Sequence, residues 1–157
     1  MRVKRTTCPA ALLLLLAAAA HAAPNFSGDW TLNAAQSDFG PFPAPTKFVR
    51  HIEHTDPDLK YTTIQSGPAG EVTTELSYRI DGKERTQDVR GGQSTGSARW
   101  DGDVLEIHSV RGGSVKIETT ERWTLSEDGK TLTITAAIQM LSGSTPLRLV
   151  LERQPAK

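Results

Sequence analysis

The densest cluster of side chains that could hold a metal ion is His51-Ile52-Glu53-His54. On an extended strand successive side chains point to opposite faces, so His51 and Glu53 share one face and His54 lies on the other. A metal ion needs ligands that converge on one point. The spacing therefore argues against a metal site, and we expect a solvated strand face here.

No group of residues has the spacing of an established catalytic motif. The chain lacks the Gly-x-Ser-x-Gly pattern of a serine nucleophile, and Gly91-Gly92-x-x-x-Gly96 lacks the Lys-Ser/Thr of a phosphate-binding loop. Two carboxylates could hydrolyse a glycoside if both faced one cavity. Glu118 and Glu121 are three residues apart, which places them on opposite faces of a strand. We therefore predict no catalytic site and no cofactor.

The first 22 residues have the pattern of a cleavable secretory signal. A basic segment at residues 2–5 precedes an apolar run at 10–20, and Ala20-His21-Ala22 matches a signal-peptidase site. The apolar run is too short to span a bilayer, which needs about 20 residues. We expect cleavage near Ala22 and a periplasmic or secreted protein, with one domain over residues 23–157.

Charge and cysteine content limit the classes of partner. Cys8 is the only cysteine and would leave with the signal, so the mature chain would contain no disulfide and no thiolate. Loss of the signal's three basic residues would leave 15 lysines and arginines against 18 aspartates and glutamates. The mature chain has neither the basic patch that nucleic acid requires nor a polybasic segment. We predict no nucleic-acid partner and no transmembrane span in the mature chain.

Strand periodicity dominates the rest of the chain. In residues 71–80 the alternate positions Val72, Thr74, Leu76, Tyr78 and Ile80 share one face, which indicates a strand with one buried face. Asp-Gly pairs at 81–82, 101–102 and 128–129 are typical of tight turns. The sequence predicts about ten strands, near residues 25–33, 46–55, 58–66, 71–80, 83–89, 94–100, 103–110, 114–126, 131–141 and 145–153.

Short connections between antiparallel strands allow two all-β architectures. The chain could close into an up-and-down β-barrel of about 8–10 strands, or stack as a two-sheet sandwich. Local connections and the need to protect sheet edges favour the barrel. The longest connection, residues 34–45, carries Phe39 and Phe42. Long loops are often functional, although both phenylalanines could instead cap the core.

Three short segments carry a resemblance to the calycin superfamily. Gly28-Asp29-Trp30 resembles the Gly-x-Trp motif of lipocalins, and residues 100–107 resemble a hairpin of fatty-acid-binding proteins. Residues 149–153 are similar to the last barrel strand of both groups. Across nearly the whole mature chain, a wider arrangement resembles a family of secreted bacterial lipocalin-like proteins of unassigned role; its segments are residues 26–33, 37–40, 81–84, 100–103 and 122–134.

The resemblance implies a barrel end that is closed by a tryptophan under an arginine. Trp30 would meet Arg153, with Arg148 or Arg122 as the alternatives. A guanidinium over an indole contributes about 0.5–2 kcal/mol. The two-helix lid of fatty-acid-binding proteins has no counterpart in the sequence, so only the 34–45 loop could cover the opposite end.

The predicted function is binding of a small hydrophobic or amphipathic molecule in the barrel cavity. The alternatives are a filled barrel that binds a protein or polymer through its loops, with Phe39 and Phe42 in contact, and an enzyme that uses the cavity. Glu121 or Arg153 would meet a polar head group. The predicted binding residues are Tyr78, Trp100, Glu121, Trp123, Ile138, Met140, Leu149 and Arg153.

Overall fold

The computed structural model describes residues 23–113 and 115–156. The predicted signal, residues 1–22, lies outside these described residues. Of the residues described, none belongs to a helix with the length and hydropathy that a membrane crossing requires.

Ten β-strands form a single antiparallel sheet, and one 3-10 helix, Ala34–Gln36, follows the first strand. The strand positions agree with the sequence prediction to within about three residues at each end. The strands are β1 Gly28–Leu32, β2 Lys47–Thr55, β3 Asp58–Gly67, β4 Gly70–Arg79, β5 Arg85–Val89, β6 Gly92–Asp101, β7 Val104–Arg111, β8 Ile117–Leu125, β9 Thr131–Met140 and β10 Gly143–Arg153.

The sheet curls into a nearly closed up-and-down barrel, as predicted. Consecutive strands pair throughout except for β4 and β5, and β1 also pairs with β10, so β4 and β5 are the two ends of the strand order. At this gap the Gln87 side chain accepts from the Ser77 amide (2.9 Å) and donates to the Ser77 carbonyl (3.0 Å). A parallel bridge between Ile80 and Ala98 lies beside it. These contacts hold the gap where no strand ladder connects β4 and β5.

The connections define the two ends of the barrel. We call the end with connections 33–46, 68–69, 90–91, 112–116 and 141–142 the mouth. The opposite end, with connections 56–57, 80–84, 102–103 and 126–130, we call the closed end. The closed end is filled by packed apolar side chains, among them Phe26, Trp30, Leu59, Leu105, Trp123, Leu132 and Leu151.

Trp30 lies under Arg153 at the closed end, which confirms the contact that the resemblance implied. Trp30 is fully buried and pairs with Arg153 in the β1–β10 register. The Arg153 Cζ atom is 4.3 Å from the indole centroid, and the indole Nε1 donates to the Phe26 carbonyl at 2.9 Å. Gly28 makes room for the arginine, because a Cβ there would lie 2.8 Å from Arg153 Nη1. Its φ of 131° also favours glycine.

Strand β2 shows how the sequence pattern builds the interior. Phe48, Arg50, Ile52 and His54 are buried, whereas the alternate residues point outward. His51 is on the outer face with its Nδ1 atom 2.7 Å from Asp29. His51 and His54 therefore lie on opposite faces, as the spacing predicted, and no group of metal-ligating side chains converges among the described residues.

Candidate ligand-binding site

A mostly apolar cavity of about 420 Å³ lies at the mouth, beneath the loop that joins β1 to β2. Small-molecule sites typically enclose about 300–1,000 Å³. Both loop phenylalanines contribute to the lining instead of pointing wholly into water. The lining residues are Phe39, Phe42, Pro43, Pro45, Phe48, Gln65, Ile138, Leu147 and Leu149.

A second, smaller cavity of about 200 Å³ has a more polar lining. Its hydroxyl groups come from strands β4, β6, β7 and β8, so the interior of the barrel is apolar on one side and mixed on the other. The residues around it are Thr74, Leu76, Val89, Ser94, Ser109, Arg111, Ile117 and Thr119. The two cavities together give the mouth half of the barrel an amphipathic interior.

Arg50 is a buried charge next to the lining of the mouth cavity. It follows the lining residue Phe48 on the inward face of β2 and is more than nine-tenths buried. Its Nε atom donates to the Thr63 hydroxyl at 2.9 Å across the β2–β3 pair. Its Nη1 atom is inaccessible to solvent and has no acceptor among the described residues. A guanidinium with an unused donor therefore lies in the interior.

Aromatic rings, and not a carboxylate, surround this guanidinium. Its Cζ atom lies 4.7 Å from the ring centroid of Tyr61, 5.3 Å from that of Trp123 and 5.4 Å from that of Phe48. No carboxylate of the described residues lies within ion-pair distance of Arg50. Cation–π contacts offset part of the desolvation cost, but a buried charge without a counterion remains unfavourable. The guanidinium is therefore held by aromatic rings and the Thr63 hydroxyl alone among the described residues.

Glu121 is a half-buried carboxylate on β8 whose charge acts on Tyr61 and Tyr78. It accepts a hydrogen bond from the Trp123 indole Nε1 at 2.7 Å on the same face of β8. Burial, with a further contribution from the Glu121 carboxylate, raises the pKa of Tyr78 to about 12. The same two causes raise the pKa of Tyr61 well above its usual value. Both tyrosines are therefore neutral hydrogen-bonding groups at any physiological pH.

Solved structures of lipid-binding barrels are similar to this chain. A zebrafish ileal bile acid-binding protein complexed with cholic acid matches with a TM-score of 0.57 and 19% identity, over 82% of this chain and 98% of that one. A fatty acid-binding protein from brain tissue of Drosophila melanogaster matches with a TM-score of 0.52 and 16% identity, over 82% and 99%. The chain has the calycin fold.

A third calycin-like match is to a secretory abundant heat soluble protein from Ramazzottius varieornatus. It has a TM-score of 0.60 and 12% identity, over 82% of this chain and 94% of that one. At these identities the likeness concerns the fold alone. No protein-family model and no curated protein sequence matches the chain.

The calycin barrel brings only part of the predicted binding set to the mouth. Ile138 and Leu149 line the mouth cavity. Met140 is at the mouth end of β9 and is partly exposed. Tyr78 and Trp123 both stack near Tyr61, with centroid distances of 6.2 Å and 5.2 Å. Both belong to the buried core, deeper in the barrel than the mouth cavity.

The other members of the predicted set lie toward the closed end of the calycin barrel. Trp100 stacks on Phe26 (6.0 Å between centroids), and its Nε1 donates to Asp56 at 2.9 Å. Arg153 donates to the Gly129 carbonyl at 2.7 Å and to the Ser27 carbonyl. Its burial lowers its pKa, although the group remains a cation. Arg153 is thus engaged in packing at the end opposite to the mouth.

Arg50 was missed by sequence reasoning, although its position carried a signal. The sequence prediction considered His51, Glu53 and His54 as metal ligands and assigned no role to the inward face of this strand. The alternation Phe48-x-Arg50-x-Ile52 places an arginine among apolar residues on one face. Arginine is rarely buried without a partner, so a charge at such a position marks a candidate site.

Proposed function

We propose that this protein binds a small amphipathic molecule with an anionic group, such as a carboxylate, inside the barrel. The apolar part would occupy the mouth cavity of about 420 Å³, and the anionic group would meet the free Nη1 donor of Arg50. The observation that carries the proposal is this buried, unpaired guanidinium beside an apolar cavity. The zebrafish and Drosophila barrels named above, described as bile acid- and fatty acid-binding proteins, support the class of ligand.

The chemistry of the site favours an anion over a neutral polar group. A hydrogen bond from a charged donor to a carboxylate is stronger than one to a neutral acceptor. It also supplies the counterion that a buried guanidinium lacks, at a place where water does not screen the attraction. The Thr63 hydroxyl accepts the hydrogen bond from Arg50 Nε, which leaves Nη1 for the ligand.

The cavity beneath the 34–45 loop also favours ligand binding over a filled barrel that works only through its loops. Phe39 and Phe42 line this cavity, so part of their apolar surface faces the space that a ligand would occupy, while 39% of the Phe42 surface is exposed. In a filled barrel that binds a protein, these rings would face outward or pack on core side chains.

A competition assay tests the proposal with defined probes. The protein is loaded with the fluorescent anion 1-anilinonaphthalene-8-sulfonate, which is then displaced by hexadecanoate or by hexadecanol. A charged hydrogen bond corresponds to about tenfold or more in affinity, so hexadecanoate should displace the dye at the lower concentration by that factor. Absence of saturable displacement by either compound would reject small-ligand binding. Equal potency of the acid and the alcohol would reject the role of Arg50.

We also propose that the protein acts after export, in the periplasm or outside the cell. The support is the signal-like pattern of residues 1–22. Mass measurement of the protein recovered from periplasmic and extracellular fractions should give a chain that begins near Ala23. A protein that retains residues 1–22 and stays in the cytoplasm would contradict this location.

A further inference from the structure

The exposed large apolar side chains of this barrel are all at one end. Among the described residues they are Phe42, Val72, Val115 and Leu141, with 39%, 38%, 49% and 96% of their surface exposed. Each lies in or beside a different connection at the mouth, and none lies at the closed end. We call these four residues the rim.

Acidic residues are concentrated at the closed end, opposite to the apolar rim. The closed-end connections carry six acidic residues and two lysines: Asp56, Asp81, Lys83, Glu84, Asp103, Glu127, Asp128 and Lys130. The mouth connections carry Asp38, Arg90 and Lys116. Arg85 pairs with Asp81 and Arg153 also lies at the closed end, so the acidic excess there is reduced, but an anionic surface would still favour the mouth over the closed end.

The form of the rim suits a bilayer better than a folded partner. The four side chains stand on separate connections around an opening, and Leu141 is almost entirely in water. A protein interface is instead built around a contiguous buried core of side chains. Separate apolar side chains can each enter the boundary between lipid headgroups and acyl chains. Arg90 and Lys116 lie on neighbouring connections, where they can meet lipid phosphates.

We propose that the mouth end docks on the surface of a bilayer that contains anionic lipid. The rim side chains enter the interface, and Arg90 and Lys116 contact the headgroups. The attraction comes from cations on two separate connections, so it does not need the polybasic segment that the sequence lacks. This inference rests on the proposed function, because in this orientation an apolar ligand could pass between the bilayer and the mouth cavity without crossing water.

Vesicle flotation tests the docking without any ligand. The chain from residue 23 is used, since it contains all ten strands and lacks the apolar run at 10–20, which could bind lipid by itself. It should float with vesicles of phosphatidylcholine and phosphatidylglycerol, and less with phosphatidylcholine alone. Leu141→Ser combined with Val115→Ser should lower partition about tenfold or more, given the apolar surface removed.

Charge reversals provide a matched pair of variants. Arg90→Glu with Lys116→Glu should lower partition into the anionic vesicles by about fivefold or more for each charge. Lys83→Glu with Lys130→Glu makes the same change at the closed end and should alter partition less than twofold. Equal loss in both pairs would show that only net charge matters and would overturn the oriented docking.

A tryptophan at the rim reports insertion directly. The three native tryptophans lie in the closed half or the middle of the barrel, away from the rim. Leu141→Trp should therefore gain a blue-shifted emission with anionic vesicles and be quenched by brominated lipid, whereas wild type should change little. No shift, no flotation of wild type, or a dimer that Leu141→Ser dissolves would each overturn the proposal. Docking is measured without ligand and ligand binding without vesicles, so either can fail alone.

Discussion

The guanidinium of Arg153 covers the indole of Trp30, with 4.3 Å from Cζ to the ring centroid. The two residues lie opposite each other on β1 and β10, the strand pair that closes the barrel. The arginine is tied to the Gly129 carbonyl, and the indole to the Phe26 carbonyl. The contact therefore joins the first and last strands to the turn before β9.

Trp30→Ala should lower the free energy of unfolding by about 3–5 kcal/mol, because it removes a fully buried aromatic ring. Urea unfolding checks the value. Val72→Ala is the control, since its side chain is exposed, and it should cost about 0.5 kcal/mol or less. Comparable losses in the two variants would mean that Trp30 does not hold the closed end.

Gln87 should control the opening of the gap between β4 and β5. Its side-chain amide makes two hydrogen bonds to the Ser77 backbone. Gln87→Ala should raise the hydrogen-exchange rate of the Ser77 amide about tenfold, from the loss of bonds worth about 1 kcal/mol each. Gln93→Ala is the control, because its side chain contacts Asp88 and no strand amide. An unchanged rate at Ser77 would show that the gap is held by other contacts.

His54 should make stability depend on pH. Burial lowers its pKa from 6.5, against a smaller opposite effect of Asp56, whose carboxylate is 3.8 Å from Nε2. The unfolded chain binds the proton more readily, so the free energy of unfolding falls as pH decreases from 6.5 through the lowered pKa. The loss is complete below that pKa.

Urea unfolding between pH 7 and pH 5 measures this loss. In His54→Leu the free energy of unfolding should fall less steeply as pH decreases, whatever the absolute stability of the variant. Phe26 and Trp100, the ring neighbours of His54, carry no titrating group. Val72→Ala, which changes an exposed side chain without a titrating group, should keep the wild-type slope. A slope that survives in His54→Leu would assign the effect to other groups.

Arg50 should destabilise the ligand-free protein. Replacing a buried, unpaired charge with an apolar side chain of similar length is often neutral or stabilising, by about 1–4 kcal/mol. Arg50→Met should therefore unfold at the same or a higher urea concentration than wild type. A loss of several kcal/mol would indicate that the aromatic rings and Thr63 already satisfy the guanidinium.

The sequence predicted the architecture because alternation and turn chemistry are local properties. Residues 71–80 alternate in the sequence, the Asp-Gly pairs at 81–82 and 128–129 fall between strands, and Asp101-Gly102 begins at the last residue of β6. The pairing of Trp30 with Arg153 came from the resemblance and is confirmed. The predicted strand faces of Glu118 and Glu121 are confirmed as well, since Glu118 meets His108 outside and Glu121 meets Trp123 inside.

The position of the polar site depended on side-chain contacts, which alternation does not encode. Arg153 on β10 and Arg50 on β2 both occupy inward-facing positions of their strands, so alternation alone does not distinguish them. The register places both directly opposite Trp30, and only their contacts distinguish them: Arg153 covers the Trp30 indole, whereas the Arg50 guanidinium lies over the rings of Phe48, Tyr61 and Trp123. The cavity under the 34–45 loop was also unpredictable, because it depends on how the loop folds back over β2 and β10.

The most direct test of the account is the affinity of Arg50→Met for hexadecanoate, compared with wild type and with Arg99→Gln. Arg99 is a matched control because it lies on the outer face in an ion pair with Glu106. Isothermal titration should give a loss of about tenfold or more for Arg50→Met and none for Arg99→Gln. Wild-type affinity in a folded Arg50→Met protein would contradict the proposal that this guanidinium receives the ligand's anionic group.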